Sequence, residues 1–163
     1  MPKLITIRGN SGSGKTTIAQ ELQKKLGHGT MLISQDVVRR EMMYLQDRPN
    51  NKAIDLIQTL VIFAREHCEI AILEGILSTE LYDKVFTAIG DIYAHSIYAY
   101  YFDLTFEETL KRHLQKPNAG DFGEEAMRRW WNEKDFLPNI TEKVLLAEMS
   151  KDYIIDLILN DVQ

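Results

Sequence analysis

Apolar residues along this chain come in short β-rich runs separated by stretches with a helical repeat. Leu4 to Arg8 is the first such run, and it stops at a cluster of glycines. From Lys15 the apolar positions Ile18, Ala19, Leu22 and Leu26 recur every three or four residues, a stripe on one helix face that Gly27 ends. Thr30 to Ser34 predicts a second buried strand, followed by a helix starting near Val37. Between Asn51 and His67, residues Ile54, Ile57, Leu60, Val61 and Ala64 share one helix face. Glu69 to Leu73 predicts a third strand ending at Glu74-Gly75, and a helix from Thr79 to Gly90 leads to a fourth, Ser96 to Phe102.

Thr105-Phe106-Glu107-Glu108 has the form of a capping box and opens a helix through Gln115. Pro117, Gly120 and Gly123 exclude regular structure between Lys116 and Gly123, and a helix follows over Glu124 to Asn132. A short strand near Val144 to Leu146 precedes a last helix, capped by Ser150 with Ile154, Ile155, Ile158 and Leu159 inside. Strands separated by helical lengths require crossover connections. The expected fold is therefore an α/β three-layer sandwich, a parallel five-stranded sheet with helices on both faces, in a single domain over residues 1–163.

A chain of 163 residues with 45% hydrophobic and 26% charged residues can bury a core without disulfides or metals. The net charge of −5 offers no broad basic surface, which argues against nucleic acid as the main partner. The single cysteine, Cys68, fits a reducing compartment. Its neighbours Glu66, His67 and Glu69 stand side by side and cannot converge on one ion from a helix, so Cys68 reads as a half-buried thiol at a helix end. No run reaches the roughly 18 apolar residues of a membrane span, and no signal-peptide pattern precedes the first strand. The expectation is a cytoplasmic protein without a membrane partner; its oligomeric state is not legible.

Chemistry enters at Gly9-Asn10-Ser11-Gly12-Ser13-Gly14-Lys15-Thr16, which matches Gly-x-x-x-x-Gly-Lys-Thr between a strand and a helix. Glycines let the backbone wrap a phosphate, and successive N–H groups then face inward at a helix N-terminus. Lys15 supplies a point charge to the β and γ oxygens, the Thr16 hydroxyl a ligand for Mg²⁺, and Thr17 continues the loop into the helix. The expected ligands are ATP and Mg²⁺. A guanine-reading motif appears only as Asn51-Lys52-Ala53-Ile54-Asp55, with its aspartate one residue late and inside a helix, so ATP is favoured over GTP.

The second predicted strand ends at Gln35-Asp36. Strand carboxyl ends face the ligand crevice of an open parallel sheet, so Asp36 points toward the γ-phosphate region, where a carboxylate can take the proton of an attacking hydroxyl. Arg39 lies about one helical turn on and can face the same pocket. Glu74 follows an apolar strand, where an acid can orient Mg²⁺ or touch the acceptor, and Gly75 beside it allows close approach of a ligand. The plain alternative for Asp36 and for Glu74 is a helix cap, and for Arg39 and Arg40 a surface charge. Transfer of a phosphoryl group calls for a cation beyond Lys15. Arg112 is the first candidate and Lys116 the next, with Arg128 and Arg129 behind them, around a lid over about residues 112–128. Trp130-Trp131 reads as core packing rather than a stacking platform.

The loop at 9–16, Ile-Ser-Gln-Asp-x-x-Arg at 33–39, Ile-Leu-Glu-Gly at 72–75 and Phe102-Asp103-Leu104 leading to Lys111-Arg112 together resemble the small P-loop kinases. That group includes zeta-toxin-like kinases, chloramphenicol phosphotransferase, gluconate kinase and the polynucleotide 5′-kinases. The resemblance implies that Asp36 is the general base and that Arg39 contacts the acceptor. It also implies a lid with two or more arginines, from which Lys116 departs, because lysine makes no bidentate clamp. The function to be expected is transfer of the ATP γ-phosphate to a hydroxyl of a small molecule: a nucleoside such as uridine, a sugar, an antibiotic or a nucleotide-sugar. An ATPase switch without an acceptor, a nucleotide-sensing module and a 5′-polynucleotide kinase are the alternatives, the last disfavoured by charge.

Overall fold

The computed structural model describes residues 1–117 and 119–163. Five strands, β1 (Lys3–Gly9), β2 (Met31–Ser34), β3 (Ile70–Gly75), β4 (Ile97–Phe102) and β5 (Lys143–Leu145), form one sheet in the order β2-β3-β1-β4-β5. Every neighbouring pair is parallel, as helix-length crossovers demand. The helices are α1 (Lys15–Leu26), α2 (Lys52–His67), α3 (Thr79–Tyr93), α4 (Phe106–Leu114), α5 (Glu124–Trp130) and α6 (Lys151–Val162).

Alternation along the strands divides the interior into two cores. Leu4, Ala71 and Leu73 face α2 and α3, where Ile57, Val61, Val85 and Ile89 bury against them. Ile5, Ile7 and Ile72 face the other way, onto Ile18 and Leu22 of α1 and Ile155 and Ile158 of α6. Both faces of the central strands are therefore apolar, the reason they read as continuous hydrophobic runs.

The element boundaries move by a few residues, each for a physical reason. Strand β3 continues through Glu74 and Gly75, which pair with Ile7 and Arg8; a buried acid looks polar in sequence and ended the expected strand early. Helix α3 passes Gly90 and runs to Tyr93, because one interior glycine costs a helix only about 1 kcal/mol and Ile89 and Tyr93 are buried on either side of it. Ser96 belongs to a tight turn of Ala94–Ser96 before β4. The Asn51 side chain accepts from the Ala53 N–H at 3.1 Å, so the guanine-like sequence is a helix cap. Ser150, Thr105 and Ser78 cap α6, α4 and α3 in the same way.

Between β2 and α2 the chain makes a wide π-helical turn over Val37–Met42 instead of an α-helix. Met43 N–H reaches Val38 O at 3.1 Å and Leu45 N–H reaches Arg39 O at 2.8 Å. Such widened turns place side chains where an α-helix would not. Here the turn carries Arg39 and Arg40. Because β1 lies between β3 and β4, chain order reverses across it, and the crevice at its carboxyl end is where an open parallel sheet takes its ligand.

Candidate active site

Out of that crevice β1 runs into the glycine loop. Gly12 has φ +84°, and a Cβ there would stand 2.5 Å from the Thr109 carbonyl oxygen, so only glycine lets α4 press on the loop. Ser11, Gly12, Gly14, Lys15, Thr16 and Thr17 line a cleft of about 380 Å³. The acceptor residues expected from sequence, Asp36, Arg39, Glu74 and Gly75, line the same cleft, as does Lys116.

Lys15 is 8% exposed, and its Nζ donates to the Asn10 carbonyl at 2.8 Å. Burial pushes its ammonium from the usual 10.5 down to about 8, against the pull of Glu74 and Asp36. Lys116 is also held below the ordinary lysine range, first by burial, with the Arg112 charge adding to it. Two ammonium groups facing one cleft, Lys15 buried and Lys116 exposed, favour an anion between them, and the loop amides at the start of α1 favour it further.

Glu74 is 2% exposed and caps nothing. Its Oε1 accepts from Ser34 Oγ at 2.7 Å and from Thr16 Oγ1 at 3.1 Å. Among the described residues no group of three His, Cys, Asp or Glu side chains could hold a metal. The donor set at hand is a hydroxyl and one carboxylate beside a phosphate cradle, which fits Mg²⁺, an ion that keeps several waters and takes its other oxygens from substrate phosphates. Thr16 and Glu74 are the residues that would hold it.

Asp36 occupies the N-cap position of the wide turn but makes no capping bond. Its carboxylate is 64% exposed and lies 3.8 Å from Arg39 Nη2 and 3.7 Å from Arg40 Nε. Gly75 has φ +154°, and a Cβ there would meet Gln35 at 2.5 Å. Gln35 is buried, receives the Leu77 N–H at 2.9 Å and donates to the Tyr82 hydroxyl at 3.0 Å. The ends of β2 and β3 are thereby locked side by side.

Four expected site residues sit elsewhere. Asn10 turns its side chain away from the cleft: its Nδ2 donates to Asn132 O and its Oδ1 accepts from Asn132 N, both at 2.7 Å. Gly9 packs under Phe102, and the Ser13 hydroxyl closes on Asn10 O at 2.6 Å. Arg112 stands outside the cleft lining, behind the loop. Its guanidinium donates to Ser13 O at 2.9 Å, Glu108 Oε1 at 2.9 Å and Ala147 O at 3.3 Å. The carboxylate and the carbonyls hold it there, and of the two cations expected first, Lys116 is the one that lines the cleft. Asn118, inside the lid expected over residues 112–128, lies outside the described residues.

Ser34, Gln35, Asp47 and Asn132 also stand at or beside the site, and Trp130 is not the core residue that its type predicts. Trp130 is half-buried and borders the cleft, with the ring of Phe122 edge-on at 5.0 Å. Ser34 and Gln35 adjoin Asp36, so the strand end itself was the available signal. Nothing local marks Asn132.

A parallel sheet ordered β2-β3-β1-β4-β5, with a glycine loop opening α1 where chain order reverses, is the fold of the small P-loop kinases, as the motifs at 9–16, 33–39 and 72–75 imply. A family model described as AAA domain matches residues 4–134, and the chain belongs to that family. No curated protein matches it in sequence. Among solved structures it is similar to a gluconokinase from Sinorhizobium meliloti 1021, with a TM-score of 0.67 at 13% identity over 99% of this chain and 91% of that one. It is also similar to the APS kinase CysC of Mycobacterium tuberculosis in complex with AMPPNP and APS, with a TM-score of 0.67 at 15% identity over 98% and 96%. A tunicamycin resistance protein from Deinococcus radiodurans gives 0.65 at 17% identity over 99% and 96%. At such identities the likeness is one of fold. No helix among the described residues is long and apolar enough to cross a membrane.

Proposed function

We propose that this protein is an ATP-dependent kinase that transfers the γ-phosphoryl group to a hydroxyl of a small molecule. The observation that carries the reading is the uncommitted carboxylate of Asp36, which opens into the same cleft as Lys15, Thr16 and Glu74. A switch that passes phosphate only to water has no use for an acid aimed from the neighbouring strand end.

On this reading the amides of Ser11 to Thr16 cradle the phosphates, and Lys15 neutralises charge on the transferred group. Thr16 and Glu74 would hold a Mg²⁺ ion, which when bound would supply positive charge to stabilise the transferring phosphoryl group. Asp36 accepts the proton of the acceptor hydroxyl, whose oxygen bonds to the γ-phosphorus as the bond to the ADP oxygen breaks. Arg39 orients the acceptor, and Gly75 leaves room for it. Lys116 enters with the segment over 112–128, and Arg112 steadies the loop from behind. The complex of the similarly folded APS kinase with both AMPPNP and APS supports a site that takes two ligands together.

The test is transfer of label from γ-labelled ATP across a panel of hydroxyl compounds, with ADP release measured beside it. The expected result is label on an organic acceptor and ADP release above the rate with water alone. Label found only in inorganic phosphate, at a rate no acceptor changes, would replace the kinase with an ATPase.

A further inference from the structure

The acceptor side of the cleft holds groups that phosphate binding leaves unused. Arg39 is nine-tenths buried, and its Nη1 donates to the Leu45 carbonyl at 3.0 Å. Nη2 stops 3.8 Å from Asp36 Oδ1, and Nε stops 3.9 Å from Asp47 Oδ1, both beyond a hydrogen bond. Among the described residues Nε has no partner. A buried guanidinium held just short of two carboxylates lacks acceptor atoms that an inserted group can supply. Trp130 also borders the cleft, its indole braced by Phe122 and by the Arg40 guanidinium 5.9 Å from the ring centroid.

We propose that the acceptor is a neutral ring bearing adjacent hydroxyls, a free sugar or the sugar of a nucleoside, without a phosphate or carboxylate of its own; this rests on the kinase reading above. Asp36 and Asp47 accept O–H bonds from neighbouring hydroxyls, and Arg39 between them donates to the hydroxyl oxygens, so the alternating signs match the donor and acceptor character of a diol. An anionic group drawn to Arg39 would meet the Asp36 and Asp47 carboxylates on either side, and that repulsion opposes what Arg39 and the neighbouring Arg40 offer. Trp130 takes the apolar face of the ring. The hydroxyl nearest Asp36 gives its proton to that carboxylate, bonds to the γ-phosphorus and displaces ADP, with no further reactant.

The experiment uses the full chain with Mg·ATP and acceptors in matched sets. Hexoses and pentoses are set against their phosphates and acid forms, nucleosides against nucleotides, and each neutral compound against a deoxy analogue lacking one of the paired hydroxyls. A 5′-hydroxyl oligonucleotide joins the anionic arm. The expected result is ADP release with a neutral compound, at a kcat/KM at least about tenfold above both its anionic counterpart and its deoxy analogue. Whether free sugars or nucleosides lead then identifies the source of the ring. Asp47→Asn should raise KM for the preferred acceptor about tenfold with little change in kcat, and should narrow the gap to the anionic counterpart. A merely structural Asp47 would lower turnover of all acceptors alike. If that variant does not fold, Trp130→Ala replaces it, with Trp130→Phe expected to restore KM. Preference for an anionic acceptor, or equal use of the deoxy analogue, overturns the inference and leaves the kinase standing. ATP hydrolysis that no compound accelerates takes down the kinase reading itself.

Discussion

At the end of β2, Asp36 occupies a position from which an acid ordinarily caps the following helix, yet its oxygens are left to two loosely held arginines and the cleft. If it takes the acceptor proton, Asp36→Asn keeps nucleotide affinity and lowers kcat about 10²–10⁴-fold, the share of a general base. Calorimetry with an ATP analogue and single-turnover transfer measure the two halves, and unchanged turnover would remove Asp36 from the chemistry. Lys15 gives a second prediction. Its folded pKa of about 8 lies below the ordinary 10.5, so the unfolded chain binds the proton more tightly. The free protein therefore gains stability as pH rises from about 8 toward 10.5, because the unfolded state holds more protons in that window. Nucleotide binding runs the other way. Phosphates favour the ammonium form, so affinity falls as pH passes about 8, and binding near that pH takes a proton from the buffer. Titrations in buffers of different ionisation enthalpy read that uptake directly, and Lys15→Met abolishes it.

Elements reach the cleft through contacts of very different range, and legibility in the sequence follows that range. The loop at 9–16 could be read because its spacing and its flanking strand and helix are local. Asp36 and Glu74 could be placed because strand ends converge in a parallel sheet. Asn10, by contrast, spends its side chain on Asn132, 122 positions away, where no spacing rule reaches. Removing that reciprocal pair with Asn10→Ala should cost about 1–3 kcal/mol, the penalty for stranding buried polar groups. The substitution keeps the backbone carbonyl that holds Lys15 but unties that stretch of the loop from Asn132, so nucleotide affinity should fall as well, and chemical denaturation beside calorimetry measures both. Gly75→Ala forces a Cβ into Gln35 at 2.5 Å on a backbone that side chains rarely adopt. The expected loss is about 1–3 kcal/mol together with weaker acceptor use, since β2 and β3 meet there. Thermal denaturation and acceptor KM report the two effects.

For the molecule as a whole, the three layers were legible because both faces of β1 and β3 are apolar, and buried parallel strands leave that trace. Arg8 left none. It lies at the carboxyl end of β1 with no exposure and donates to Leu77 O, Asp135 O and Oδ2, and both oxygens of Glu142. Tyr101 and Phe86 flank its guanidinium, each ring centroid 5.4 Å away. Arg8→Ala strands the Glu142 carboxylate, 1% exposed, and should cost about 3–5 kcal/mol, whereas replacing Arg8 and Glu142 together with apolar residues should cost far less. Denaturant unfolding of the single and double variants separates the two outcomes.

The geometry around Arg8 also bears on how the chain matures on the ribosome. Its partners at 135 and 142 are synthesised long after the strand that carries it, so until then the buried charge on that strand has no counterion. A nascent chain stalled before Glu142 should therefore remain open to protease along its N-terminal half, and gain resistance only once that carboxylate and, behind it, β5 and α6 are free of the exit tunnel.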